Sequence, residues 1–351
     1  MVEKGDTTGP VSASYILKDS SVEFAVLETA RGGIIRSGLA FDSCDIGVIT
    51  NIKEDHLGMK DVNTLEDLTR IKSVVVETVK KDGWAILNAE DPYCLSLEGK
   101  LDCNTAYFAL NRDSSVVRGL IENSKVVAVC DNGYITIIKG DEIIELEKIV
   151  NIPLTINGKA SFMIENVLAA SLATYLFGFD VVEIRNSLRS FIPGPKYTPG
   201  RLNVFSFKNF DVMVDFAHNP PGFLAIEDYL AKVEATKKIG IIAGVGDRRD
   251  EDIIACGRIA ARMFDHIIIR QERHLRGRTD KEIEGLLLKG IGECNQKRTY
   301  EIIPKELEAI EHAISIAKHG NYIVALCDVV SNAIDIVQSY LDKEKGLSQI
   351  S

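Results

Sequence analysis

No apolar run in this 351-residue chain approaches the roughly 18–20 residues needed to cross a bilayer. Its opening residues, MVEKGDTTGP, carry no apolar core of a leader peptide either. The cytoplasm is the expected compartment, with no membrane partner. Cysteine pairs are also lacking: the seven cysteines are odd in number and none forms a C-x-x-C. That argues against both a disulfide framework and a zinc cluster, and leaves buried free thiols as the expectation. A basic excess is missing as well. Lys+Arg number 41 against 51 Asp+Glu, a net charge of −10, which argues against a general nucleic-acid or anionic-membrane binder. Lys80-Lys81 and Arg248-Arg249 are too short to act as nucleic-acid tracts and have no interleaved aromatics. No internal repeat, low-complexity tract or in-register G-x-G-x-x-G is present, so an NAD-dependent dehydrogenase is disfavoured.

What remains is a globular composition, with 46% hydrophobic and 26% charged residues, long enough for two domains. Residues 22–28 and 45–51 are short apolar runs ending on polar residues, the pattern of buried parallel strands whose carboxyl ends face a site. Leu65, Leu68, Ile71, Val75 and Val79 fall on one helical face, Lys81-Asp82-Gly83 stops that helix, and residues 84–88 read as a strand. Between about 101 and 160 the period drops to two, with Asp131-Asn132-Gly133 and Lys139-Gly140-Asp141 as turns, which predicts a small antiparallel insert. Residues 162–176 return to helix. Pro193, Gly194, Pro195, Pro199 and Gly200 form the densest Pro/Gly cluster and place a domain join near 198–200. Beyond it, strands at 212–216, 238–243, 266–269 and 322–326 alternate with helices at 221–234, 251–263, 280–289, 306–318 and 330–343, predicting a second, doubly wound α/β domain.

Candidate chemistry sits at the strand ends. Thr50–Leu57 (TNIKEDHL) places Asp55 and His56 past an apolar strand, where an imidazole can ligate a metal or move a proton, a structural histidine being the alternative. Glu28 ends the neighbouring run and reads as a site carboxylate, a helix cap or an ion-pair partner. In the second domain, Asp215, His218, Asn219 and Pro220 follow a strand and open a helix. A strand-end acid there can accept from ribose hydroxyls, and a helix N-terminus favours phosphate. Gly244-Val245-Gly246-Asp247-Arg248-Arg249 is a strand-to-helix loop whose arginines could grip carboxylate or phosphate, a solvated turn being the alternative.

In sequence order, LETARGG (27–33), TNIKEDHLG (50–58), NAEDP (88–92), IENVLAA (164–170), PGRLN (199–203), DFAHNP (215–220) and GVGDRRD (244–250) resemble the motifs of the Mur ligase family. The match is closer to the Mur-ligase-like C-terminal module of cyanophycin synthetases, through GDTTGP (5–10), LETARGGIIRSGL (27–39) and GDRRDEDI (246–253). The resemblance implies a Mur ligase central domain over 1–198, incomplete and with a small antiparallel insert, and a Rossmann-like C-terminal domain over 199–351. It implies ATP and Mg2+, with phosphorylation of a carboxylate and attack by an amine. Glu28 and His56 would help hold magnesium, and Lys72 lies where family members carry a carbamylated lysine. Lys72 sits between Leu68 and Val75 on the apolar helix face, which weakens the alternative of a lysine snorkelling to solvent.

By the same resemblance, Asn166 would meet adenine, Arg201 and Asp215 the phosphates and ribose, and His218, as a catalytic residue, would lie with Asn219 beside the interface formed when the C-terminal domain closes over the first. Thr7, Thr8 and Arg31 would face the acceptor, and Asp247 and Arg248 the incoming amino acid. The implied reaction joins L-arginine to the aspartate β-carboxylate of a poly-aspartate (cyanophycin) acceptor. The family's G-x-x-G-K-[ST] phosphate loop is absent from the chain, so the expectation is a polypeptide missing its N-terminal part, with little turnover alone and an open edge in the first sheet. The family also implies assembly into a homo-oligomer. A folylpolyglutamate or peptidoglycan-precursor ligase, or a non-catalytic homologue with a binding or assembly role, are the competing readings.

Overall fold

A computed structural model describes residues 8–54, 57–58, 62–273, 275–295 and 298–346. The chain divides into two compact units, 1–158 with 162–190, and 159–161 with 191–351. In the first unit, helices α1 (Pro10–Lys18) and α2 (Arg31–Ser37) precede β1 (Cys44–Ile49), α3 (Leu65–Glu77), β2 (Val79–Asn88), the short α4 (Pro92–Leu95), β3 (Asn104–Asn111), α5 (Ser115–Glu122) and β4 (Val126–Asp131). β5 (Tyr134–Lys139), β6 (Glu142–Lys148), α6 (Ser161–Phe177) and α7 (Val181–Ser190) follow. The six strands form one sheet in the order β1-β2-β3-β4-β5-β6. β1 to β4 run parallel, and β4 to β6 pair antiparallel.

The antiparallel segment is therefore confined to 126–148 and extends the parallel sheet at its edge, whereas the expected insert over 101–160 begins with a parallel strand, β3, and a helix, α5. Its first hairpin turns on Asn132 (φ 48°) and Gly133 (φ 81°), residues that tolerate the left-handed region a tight hairpin demands. Neighbouring residues on each strand point to opposite faces. Leu87, Tyr107 and Val127 enter one buried core, and Ile86, Phe108 and Ala128 enter another. Burying each large side chain of this kind contributes about 1.5–3 kcal/mol.

Three local expectations fail here. The α3 helix, started by a Thr64–Asp67 capping box, ends at Glu77 rather than 79, because the Thr78 carbonyl accepts from Cys44 N–H (3.0 Å) and begins strand pairing. Lys81-Asp82-Gly83 lies within β2, where the register jumps from Cys44↔Val79 to Ile46↔Trp84. A Cβ on Gly83 would stand 2.4 Å from the Asp45 carbonyl oxygen, so the bulge needs glycine. Residues 22–28 form no strand, and Val26 is 85% exposed. A short apolar run does not identify a strand without a ladder partner. Instead Phe24 packs edge-on against Phe177 and Phe179, at 4.6 and 5.6 Å between ring centroids. β1 is an edge of the sheet among the described residues.

The second unit holds β7 (Asn203–Ser206), β8 (Phe210–Asp215), α8 (Pro220–Ala231), β9 (Lys237–Ile242), α9 (Asp250–Met263), β10 (His266–Ile269), α10 (Asp280–Gly292), β11 (Thr299–Ile302), α11 (Glu306–Ile316), β12 (Asn321–Leu326) and α12 (Val330–Glu344). The sheet order is β11-β10-β9-β12-β8-β7. All neighbours are parallel except the β7–β8 pair. The order reverses where β12 inserts between β8 and β9, and such switch points open ligand crevices at strand carboxyl ends. The two edge strands, β7 and β11, escape detection in the sequence because neither is an apolar run: NVFS and TYEI keep exposed positions, whereas the equally short β10 is the buried run HIII. All seven cysteines are free. Burial pushes the thiols of Cys94, Cys130 and Cys256 up to about 12, so they are protonated at neutral pH. Among the described residues no helix is long and apolar enough to cross a membrane.

Helices α9 and α10 touch backbone to backbone. A Cβ on Gly257 would lie 2.3 Å from the Leu287 carbonyl oxygen, and one on Gly290 2.0 Å from that of Ile254. Gly290→Ala must therefore part the two helices. The expected cost is about 1–3 kcal/mol, measured as a lower urea midpoint at unchanged slope.

Candidate functional site

In the first unit the chemistry gathers beyond the carboxyl ends of β1 and β2. Lys72, on α3, donates from Nζ to the Asn51 carbonyl (3.0 Å). The NAEDP segment braces the same stretch: Asn88 Nδ2 donates to Thr50 O (2.9 Å) and Asp91 Oδ2 accepts from Ile52 N–H (2.7 Å). Asp91 Oδ1 accepts from Tyr93 and Cys94 N–H, capping α4. One buried carboxylate thus ties a site loop to a helix start. Glu28 and Thr8 line a common pocket beside Gly33 and Ile34. Arg31, half-buried, begins α2. Asn166 is exposed on α6, its amide against Met163 Sδ (3.7 Å). Thr7 and His56 lie outside the described residues.

Among the described residues no three His, Cys, Asp or Glu side chains assemble a metal cage. Magnesium does not require one, because it takes one or two carboxylates and fills its shell with water and phosphate. The hard carboxylate of Glu28, which lines the pocket beside Gly33, suits that chemistry.

In the second unit Asp215 ends β8 and is 4% exposed. Its Oδ2 accepts from Leu202 N–H (2.9 Å) and its Oδ1 from Ala217 N–H (2.8 Å). Burial pushes its carboxyl up, against the pull of these N–H groups and of Arg201. Leu202 is held at φ 47°, a left-handed conformation costing roughly 1–2 kcal/mol for such a residue. Asn203 completes the turn, accepting from Gly200 N–H (2.7 Å) and donating to Thr198 O (2.9 Å). The side chain of Arg201 is thereby directed over the Phe216 ring, 5.8 Å from its centroid. His218 donates from Nδ1 to Phe216 O (2.9 Å), which sets its tautomer when neutral, and Asn219 caps α8 through Gly222 N–H (2.8 Å). Arg201, Asp215, His218 and Asn219 therefore share one strand end.

The loop after β9 carries Asp247, paired with Arg276, and Arg248, 6% exposed. Next to the carboxyl ends of β10 and β12 lies a group with no forewarning in the sequence. Arg270 pairs with Glu306 (3.1 Å) and Glu272 (3.6 Å) and donates to Leu326 O (3.3 Å). Glu306 in turn accepts from Asp328 N–H (2.7 Å). These residues are scattered over 270–328 and only the sheet order brings them together.

The Mur ligase middle domain model matches residues 4–174, and the model described as Mur ligase, glutamate ligase domain matches residues 200–327. The chain belongs to the Mur ligase family. It is 44% identical over 340 residues to the cyanophycin synthetase of Geminocystis herdmanii, covering 97% of this chain and 39% of that protein. The chain thus spans about two-fifths of the length of that curated relative. MurF of Acinetobacter baumannii shares the fold at a TM-score of 0.64 and 15% identity, over 95% of this chain and 70% of that one. E. coli FolC, solved in complex with ADP, does so at 0.61 and 17%, over 87% and 63%.

In this Mur ligase chain the Glu272 carboxyl is held above the ordinary carboxylate range. Burial and the facing Asp328 push its carboxyl up to about 7, against the pull of Arg270. A carboxyl raised on folding loses stability as pH climbs from its unfolded value near 4.5 through 7, because the folded state must then hold a buried charge. Glu272→Gln removes that loss. Its melting temperature is expected to exceed that of the wild type by roughly 3–6 °C more at pH 8 than at pH 5, read from thermal melts at the two pH values.

Proposed function

We propose that this chain is the Mur-type module of an ATP-dependent amide ligase that adds L-arginine to the aspartate β-carboxylate of a poly-aspartate acceptor. The observation that carries the reading is the 44% identity to a cyanophycin synthetase over nearly the whole chain. In this reaction the acceptor carboxylate oxygen attacks the γ-phosphorus and ADP leaves. The α-amine of arginine then attacks the acyl carbon, phosphate departs, and the nitrogen loses a proton to form the amide.

Arg201 and Asp215 are assigned to the nucleotide phosphates and ribose, and Asn166 to adenine. Glu28, with His56, is assigned to magnesium, which neutralises phosphate charge when bound. Lys72, as its carbamate, would add a carboxylate near Asn51. His218 is assigned to hold or move a proton. Thr7, Thr8 and Arg31 are assigned to the anionic acceptor, and Asp247 and Arg248 to the incoming amino acid. Glu306 and Asp328, joined by Glu272 as it ionises, outnumber the Arg270 guanidinium beside them and favour a cationic side chain over an apolar or acidic one.

Substrate binding tests this without turnover. L-Arginine with ATP and magnesium is expected to raise the melting temperature of the chain, whereas L-glutamate and meso-diaminopimelate leave it unchanged. Arg201→Ala should weaken ATP binding by about tenfold, the loss of one charge-assisted contact. Stabilisation by glutamate or diaminopimelate in place of arginine would overturn the substrate assignment. Because the chain holds no G-x-x-G-K-[ST] turn, it is proposed to bind substrates while releasing little phosphate alone. Robust arginine-dependent phosphate release by the 351-residue chain would refute that.

A further inference from the structure

The loop joining β9 to α9 is gripped by the segment leading into α10. A Cβ on Gly246 would stand 2.1 Å from the Leu275 carbonyl oxygen, so the two backbones run closer than any side chain permits. Arg276, at φ 49°, and Gly277, at φ 96°, turn the chain sharply, and the Arg276 guanidinium pairs with Asp247. Arg278 then spans the loop. Its Nε donates to Gly246 O (3.0 Å), its Nη2 to Arg248 O (2.9 Å), and its Nη1 to the Asp250 carboxylate (2.6 Å).

We propose that Arg278 is a positioning residue that holds the Gly244–Asp250 loop in the shape presenting Asp247 and Arg248 to the incoming amino acid. The ligand in this inference rests on the ligase reading above; the restraint on the loop does not. The loop carbonyls of residues 246 and 248 lie two residues apart, and a planar guanidinium fork reaches both and the Asp250 carboxylate together. A lysine ammonium is a point charge on a flexible stem and cannot span the three acceptors at once. The Arg276–Asp247 pair acts in the same direction, turning the Asp247 carboxylate towards the α10 side of the loop.

Hydrogen exchange on the 351-residue chain tests the assignment with Arg278→Ala and Arg278→Lys. Amides of 244–250, including the Arg248 N–H bonded to Val245 O (3.1 Å), should exchange about tenfold faster in both variants, while β9 and β12 keep wild-type rates. Saturating L-arginine should slow exchange of the same amides in the wild type, with its half-maximal concentration raised about tenfold in both variants. Wild-type exchange over 244–250 in both variants, or an equal rise across β9 and β12, overturns the positioning role and leaves the ligase reading standing. A loosened loop in the variants without arginine protection in the wild type removes the amino-acid ligand, and with it the functional part of the assignment.

Discussion

Parallel pairing is the constraint on which both units depend. A parallel strand cannot return through a tight turn, so each needs a crossover, and the crossovers cover both faces of the sheet. The same geometry collects the strand carboxyl ends on one side of each sheet. Lys72, Asn88 and Asp91 gather at one such margin, and Arg201, Asp215, His218 and Arg270 at the other. Chemistry collects there because those ends are followed by loops, which can bend toward a ligand without breaking the ladder.

The residues at these margins carry structural work before any catalytic work. Asp215 spends one bond from each oxygen on main-chain N–H groups, and Asp91 accepts from three such N–H groups between the Thr50–Ile52 stretch and α4. Such a carboxylate sets backbone shape and keeps lone pairs for a ligand. A Mur ligase motif such as PGRLN or NAEDP is then a turn whose side chains brace the main chain around it. Asn203 and Gly200 shape the turn that carries Arg201.

Much of this organisation was legible in the residues. Long periodic helices such as α3 and α10, the Asn132-Gly133 hairpin and the parallel strands of the second unit follow from apolar period and turn chemistry. The failures share a cause. Residues 22–28 look like a strand because an apolar run says nothing about whether a neighbouring ladder exists. β7 and β11 are short edge strands with exposed positions, and lack the continuous apolar run that marks the equally short β10. Arg270, Glu272, Glu306 and Asp328 are individually unremarkable surface-type residues, and only the insertion of β12 between β8 and β9 makes them neighbours. Charge clusters built from several crossovers are invisible to any reading confined to local spacing.

The close glycine contact between α9 and α10 bears on time as well as on stability. Those helices begin where the 244–250 and 275–279 segments end, and the two segments are themselves joined. Neither loop can swing as an independent nanosecond flap. Opening either loop must first break the Arg278 bonds between them, and a swing that carries α9 and α10 along belongs among collective microsecond-to-millisecond rearrangements.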